Sequence, residues 1–132
     1  MIASFGPKMM RLCVRYADGW IGPGSDLETL KTHLTALDKA CEHIGRDPRS
    51  LRRTLEIGEM YCAPTEKEVQ ALIGDRELEP GMLTGTPEQI SEKLQPLVDL
   101  GITSFVLGSG AFPDVSSLET IGRQVIPNFT RK

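Results

Sequence analysis

GTPEQISEKLQPLVDLGITSFVLG (Gly85–Gly108) carries two different periodicities on either side of one glycine. Thr86 and Gln89 have the spacing of a capping box, in which each side chain satisfies a backbone amide of the first helical turn. Pro87 falls at the first helical position, where its missing N–H costs nothing. The helix this predicts runs from Thr86 to Leu100. The β-prone run Ile102–Leu107 follows at once. Three further β-prone runs lie upstream, at residues 1–5, 19–22 and 54–62, the last with Leu55, Ile57 and Tyr61 in alternation. Each is followed by a helical pattern. A strand followed by a helix, repeated four times, predicts an α/β fold with parallel strands and right-handed crossovers.

The helices announce themselves by their starts. Ser25 with Glu28, Thr65 with Glu68 and Ser116 with Glu119 repeat the capping spacing, and Gly6-Pro7 marks one more start. From Pro7 to Ala17, the residues Met9, Leu12, Cys13, Tyr16 and Ala17 recur at helical intervals, while Lys8, Arg11 and Arg15 share another face. Leu27, Leu30, Leu34, Leu37, Cys41 and Ile44 form the strongest stripe, that of a helix lying on a sheet. Residues 73–85 read as an irregular insertion.

The chain has 132 residues, 39% of them hydrophobic and 25% charged, which predicts a single folded domain over residues 1–132. A formal net charge of −3 and the lack of a basic stretch argue against nucleic acid as a partner. No apolar run is long enough to cross a bilayer and Met1–Phe5 lacks the features of a signal peptide, so a cytoplasmic location is expected. Cys13, Cys41 and Cys62 are odd in number and each sits in an apolar pattern. Reduced, buried thiols follow.

Four segments, FGPKMMRLCVRYADGWIG (Phe5–Gly22), GRDPRSLRR (Gly45–Arg53), GTPEQISEKLQPLVDLGITSFVLG and VIPNF (Val125–Phe129), occur in a fixed order. Together they resemble the bacterial-luciferase-like monooxygenases. The resemblance implies the carboxy-terminal half of a (β/α)8 TIM barrel, the four strands standing for the fifth to the eighth. A full barrel takes roughly 250 residues. It further implies a flavin- or deazaflavin-dependent monooxygenase or oxidoreductase, acting with O2 or by hydride transfer, with FMN or the deazaflavin coenzyme F-420 as cofactor. The substrate is a small molecule of unspecified kind.

By the same resemblance Ser4, Phe5, Gly6, Pro7 and Lys8 hold the cofactor's phosphate. The residue types suit that task, because a glycine admits an anion to the backbone and a helix start offers free amides and a positive dipole end. Without the resemblance a Gly-Pro helix start reads as plain capping. Gly22-Pro23-Gly24-Ser25 and Gly108-Ser109-Gly110-Ala111-Phe112 either line a ligand cleft or permit tight turns. Trp20 reads as a packing residue, and His33 and His43 as solvated. No catalytic side chain and no metal ligand set are predicted. An exposed half-barrel invites a partner, so a homo-oligomer is expected. The alternative is a non-catalytic half-barrel that serves in binding or dimerisation.

Overall fold

The structure is a computed structural model and describes residues 1–3, 6–24 and 26–130. Strands β1 (Ile2–Ala3), β2 (Gly19–Pro23), β3 (Arg52–Cys62), β4 (Leu83–Gly85) and β5 (Ser104–Ser109) alternate with helices α1 (Pro7–Tyr16), α2 (Leu27–His43), α3 (Glu66–Ile73), α4 (Pro87–Asp99) and α5 (Ser116–Thr120). The sheet order is β1-β2-β3-β4, with β5 also pairing β3. β1–β2, β2–β3 and β3–β4 are parallel. Thr103 N–H donates to the Arg53 carbonyl and Gly110 N–H to that of Met60. The equal spacing of these two pairs along both strands makes the β3–β5 pairing parallel as well. This is the α/β arrangement expected from the sequence.

Two differences are local. The last strand begins at Ser104 and not at Ile102, because the Ile102 amide still bonds back to Leu97. Gly101, at φ +97°, makes that reversal in the left-handed region where a glycine is unstrained. The stretch read as an irregular insertion ends in β4, whose Leu83 and Gly85 are buried beside β3.

The chain folds as two compact units, Met1–Glu56 with Leu97–Val106, and Ile57–Pro96 with Leu107–Lys132. In the first, α1 contacts both β2 and α2, and it buries Met10, Cys13 and Val14, while β2 buries Trp20 and α2 the stripe Leu30, Leu34, Leu37 and Cys41. The stripe of α2 is the expected one, although its end residues Leu27 and Ile44 stay exposed. The face of α1 is not. Met9, Leu12 and Tyr16 are exposed, and Met10, Cys13, Val14 and Ala17 are buried in their place. Both sets step by three and four, so periodicity alone admits either, and contact with β2 and α2 selects one.

Arg53 lies buried on β3 because its guanidinium pairs with Asp38 of α2 and reaches the Pro48 carbonyl at 3.4 Å. Arg46 closes the end of α1 by donating to the Val14 and Ala17 carbonyls, both at 2.8 Å. These bonds satisfy acceptors that a helix end otherwise leaves orphaned. The opposite sheet face is less covered. Ile21 is level with Thr54 in the register, and the Thr54 hydroxyl meets that of Ser104 at 2.6 Å. Further along that face Glu56 and Val106 are exposed.

In the second unit Tyr61, Ala63, Val69, Ile73 and Ala111 form a buried cluster joined by Leu72 and Met82. Thr65 and Glu68 make the predicted reciprocal cap of α3. Thr86 and Gln89 bond reciprocally at the start of α4. The other two caps differ from expectation. Ser25 lies outside the described residues, and α2 is capped by Asp26, whose carboxylate accepts from the Thr29 amide and hydroxyl. Asp114 accepts from the Ser116 amide ahead of α5, so that Ser116 is inside the helix. In each case a nearby aspartate, Asp26 or Asp114, offers a charged, stronger acceptor.

Candidate functional site

Of the five residues expected to hold a phosphate, Ser4 and Phe5 lie outside the described residues. Gly6 is the N-cap of α1 and Pro7 its first helical residue. The Gly6 carbonyl accepts from the Met10 amide at 2.9 Å, which is the first turn of the helix. Gly6 contributes no side-chain cap, and no acidic residue occupies the first turn. Among the described residues no side chain caps the early amides, which are thus open to solvent or an anion. Lys8 is exposed. Gly6 has φ −119°, and a Cβ there would meet nothing within 4 Å. Backbone strain does not require the glycine, and the space over it is open.

Gly6, Pro7, Met10 and Arg11 form one wall of a groove of about 300 Å³ whose other wall is Thr32, His33, Ala36 and Ala40 of α2. Sequence reasoning missed the α2 wall. Arg11 and Ala40 carry the groove on into a cavity of about 760 Å³ lined also by Arg15, Lys39, His43 and Ile44. The one sign in the sequence is that Lys8, Arg11 and Arg15 share a helix face. His33 is half-buried and His43 exposed.

In the two glycine-containing segments, Gly22 and Gly110 are held in close packing. A Cβ on Gly22 would stand 2.2 Å from Cη2 of Trp20, whose ring lies over its own strand. Gly24 donates to the Glu56 carbonyl at 2.6 Å. A Cβ on Gly110 would stand 2.3 Å from Cζ of Tyr61. Neither Gly22 nor Gly110 has a positive φ, so close contact and not turn geometry selects glycine at both. Beside Gly110, Phe112 is exposed.

Trp20 is fully buried, in keeping with its packing role. All three cysteines are free and buried. Burial pushes the Cys62 thiol up to about 11, and it also raises that of Cys41. Neither is a ready nucleophile at neutral pH. Among the described residues no cluster of His, Cys, Asp or Glu is placed to hold a metal ion, and no helix is long and apolar enough to cross a membrane.

The family model of the luciferase-like monooxygenases matches residues 1–82. The chain belongs to this family. Its solved structural relatives agree in fold. The coenzyme F420-dependent tetrahydromethanopterin reductase from Methanopyrus kandleri superimposes with a TM-score of 0.78 at 16% identity, over 97% of this chain and 50% of that one. An F420-dependent secondary alcohol dehydrogenase gives a TM-score of 0.73 at 17% identity, over 98% and 48%. The oxygenating constituent of 3,6-diketocamphane monooxygenase from Pseudomonas putida, in complex with FMN, gives 0.72 at 20% identity, over 98% and 48%. Among curated proteins none matches the chain. This luciferase-like chain thus spans about half the length of these relatives, and its sheet and alternating helices are those of part of a TIM barrel.

Proposed function

We propose that this luciferase-like chain is the cofactor-anchoring half of a flavin- or deazaflavin-dependent oxidoreductase or monooxygenase. The family match across β1, α1 and β2 carries this reading. The solved relatives, two of them dependent on coenzyme F420 and one in complex with FMN, support either cofactor. The residues present suit the phosphate of such a group. Gly6 leaves an open approach, Pro7 presets the first turn, and the uncapped amides and exposed Lys8 supply positive potential. Ser4 and Phe5 complete the anchor loop in this proposal.

When bound, the isoalloxazine or deazaflavin ring supplies the redox chemistry. The chain's own part is to hold and orient. No side chain is assigned a catalytic role, since Cys62 and Cys41 are held protonated by burial. The substrate is a small molecule whose contacts come largely from a second half of the barrel. The short edge strand β1 and the incompletely covered face bearing Glu56 and Val106 support association, here with a second copy of the chain. The free, buried cysteines support a reducing compartment, the cytoplasm.

Titration of the purified protein with FMN and with coenzyme F420, followed by Trp20 and cofactor fluorescence, tests the reading. Saturable binding of one cofactor, abolished by Gly6→Asp, is the expected result. Absence of binding to either, with a dimer still seen by light scattering, would instead leave a non-catalytic half-barrel used for dimerisation.

A further inference from the structure

The groove between α1 and α2 has a chemistry that the anchor loop does not account for. Its basic end presents two i,i+4 pairs facing each other, Arg11 with Arg15 on α1 and Lys39 with His43 on α2. Among the described residues no acidic side chain lines either part of the groove. None of the four enters an ion pair among the described residues. Favourable interaction with the helix dipoles accounts for Arg15 and His43, each in the last turn of its helix, but not for Arg11 and Lys39. Like charges gathered on neighbouring helices repel, and an anion held between them turns that repulsion into attraction. The groove is also two-part. Ala36 and Ala40 stand one turn apart and keep its α2 wall low, and Met10 and Pro7 make the facing wall apolar.

We propose that this groove binds an amphiphilic organic anion. Its phosphate, or a comparable multiply charged group, is held by Arg11, Arg15 and Lys39, and an aromatic or aliphatic portion lies against Met10, Ala36 and Ala40. Guanidinium forks match phosphate oxygens in pairs, and the lysine adds a point charge. The charged end is distinct from the anchor loop, because Arg15 lies nine residues along α1 from Gly6, about 13 Å at the helical rise. Gly6 and Pro7 border only the apolar part of the groove, and its charged end lies apart from them.

Isothermal titration calorimetry with 1-naphthyl phosphate and with inorganic phosphate tests the proposal. Saturable binding of 1-naphthyl phosphate, tighter than that of inorganic phosphate and weakened by salt, is expected. The double variant Arg15→Glu/Lys39→Glu, at exposed positions, should weaken it at least about tenfold while leaving FMN titration of the loop unchanged. Ala36→Leu, filling the apolar part, should weaken 1-naphthyl phosphate and leave inorganic phosphate unaffected. Lys67→Glu/Arg123→Glu, an equal pair of charge reversals at exposed positions outside the groove, should change nothing. Lack of saturation, or equal binding by the wild type and the double variant, overturns the site. Equal loss on Lys67→Glu/Arg123→Glu overturns it too, by showing that only net charge matters.

Discussion

The ring of Tyr61 occupies the space in which a side chain on Gly110 would begin, and its hydroxyl donates to the Gly110 carbonyl at 3.2 Å. The same glycine donates its amide to the Met60 carbonyl at 3.1 Å. One residue after β5 is thereby tied to β3 by two hydrogen bonds and by direct contact. Gly110→Ala must displace a ring that is 1% exposed, so the expected loss is about 1–3 kcal/mol. Urea denaturation reads it, and an unchanged midpoint would show that the ring moves aside freely.

Trp20 and Gly22 repeat the device in the first unit. Because the indole folds over Gly22 on the same face of β2, Gly22→Ala is expected to cost a similar ~1–3 kcal/mol. It should also shift the emission of the chain's single tryptophan to longer wavelength as the ring is pushed from its fully buried position. Loss of stability with unchanged emission would place the strain elsewhere.

Thr65 accepts from the Glu68 amide while Glu68 accepts from the Thr65 amide and hydroxyl. Thr65→Ala removes one half of this exchange and should lower stability by about 1 kcal/mol. Ser116→Ala, at a residue inside α5 and not at its cap, should cost less. Denaturation midpoints of the two variants, compared side by side, decide this ordering.

The buried Cys62 thiol, raised to about 11 from an ordinary 9.0, makes stability depend on alkaline pH. Between these values the unfolded chain has released the proton and the native one retains it. Stability from this group is fully present below pH 9.0 and is lost as pH rises towards about 11. Cys62→Ala should flatten that part of the profile of Tm against pH. In the native protein Cys62 should also resist alkylation at pH 8, and rapid modification there would contradict its burial.

The parallel α/β class, the order of elements apart from β4, and the buried stripe of α2 were legible in the sequence, because each rests on local signals: capping pairs, turn residues and a periodicity admitting one solution. The three-residue β4 (Leu83–Gly85) was not, since so short a strand is fixed by its pairing with β3 and not by its own residues. The family membership was legible for a related reason, being carried by short ordered motifs. The proposed phosphate loop rests on the resemblance, since Gly6-Pro7 by itself is an ordinary helix start.

What tertiary structure alone decided begins with α1, where two sets of apolar residues share one spacing and only contact with β2 and α2 chose Met10, Cys13 and Val14 over Met9, Leu12 and Tyr16. It continues with Gly22 and Gly110, whose need to be glycine comes from a tryptophan two residues away and a tyrosine 49 residues away. It ends with the basic groove, which exists because residues of α1 and of α2 are brought to face one another. Local propensity acts over a few neighbouring residues, so it determines which elements form. Packing and charge act through space, so the buried face, the close contacts and the binding surface wait for the fold.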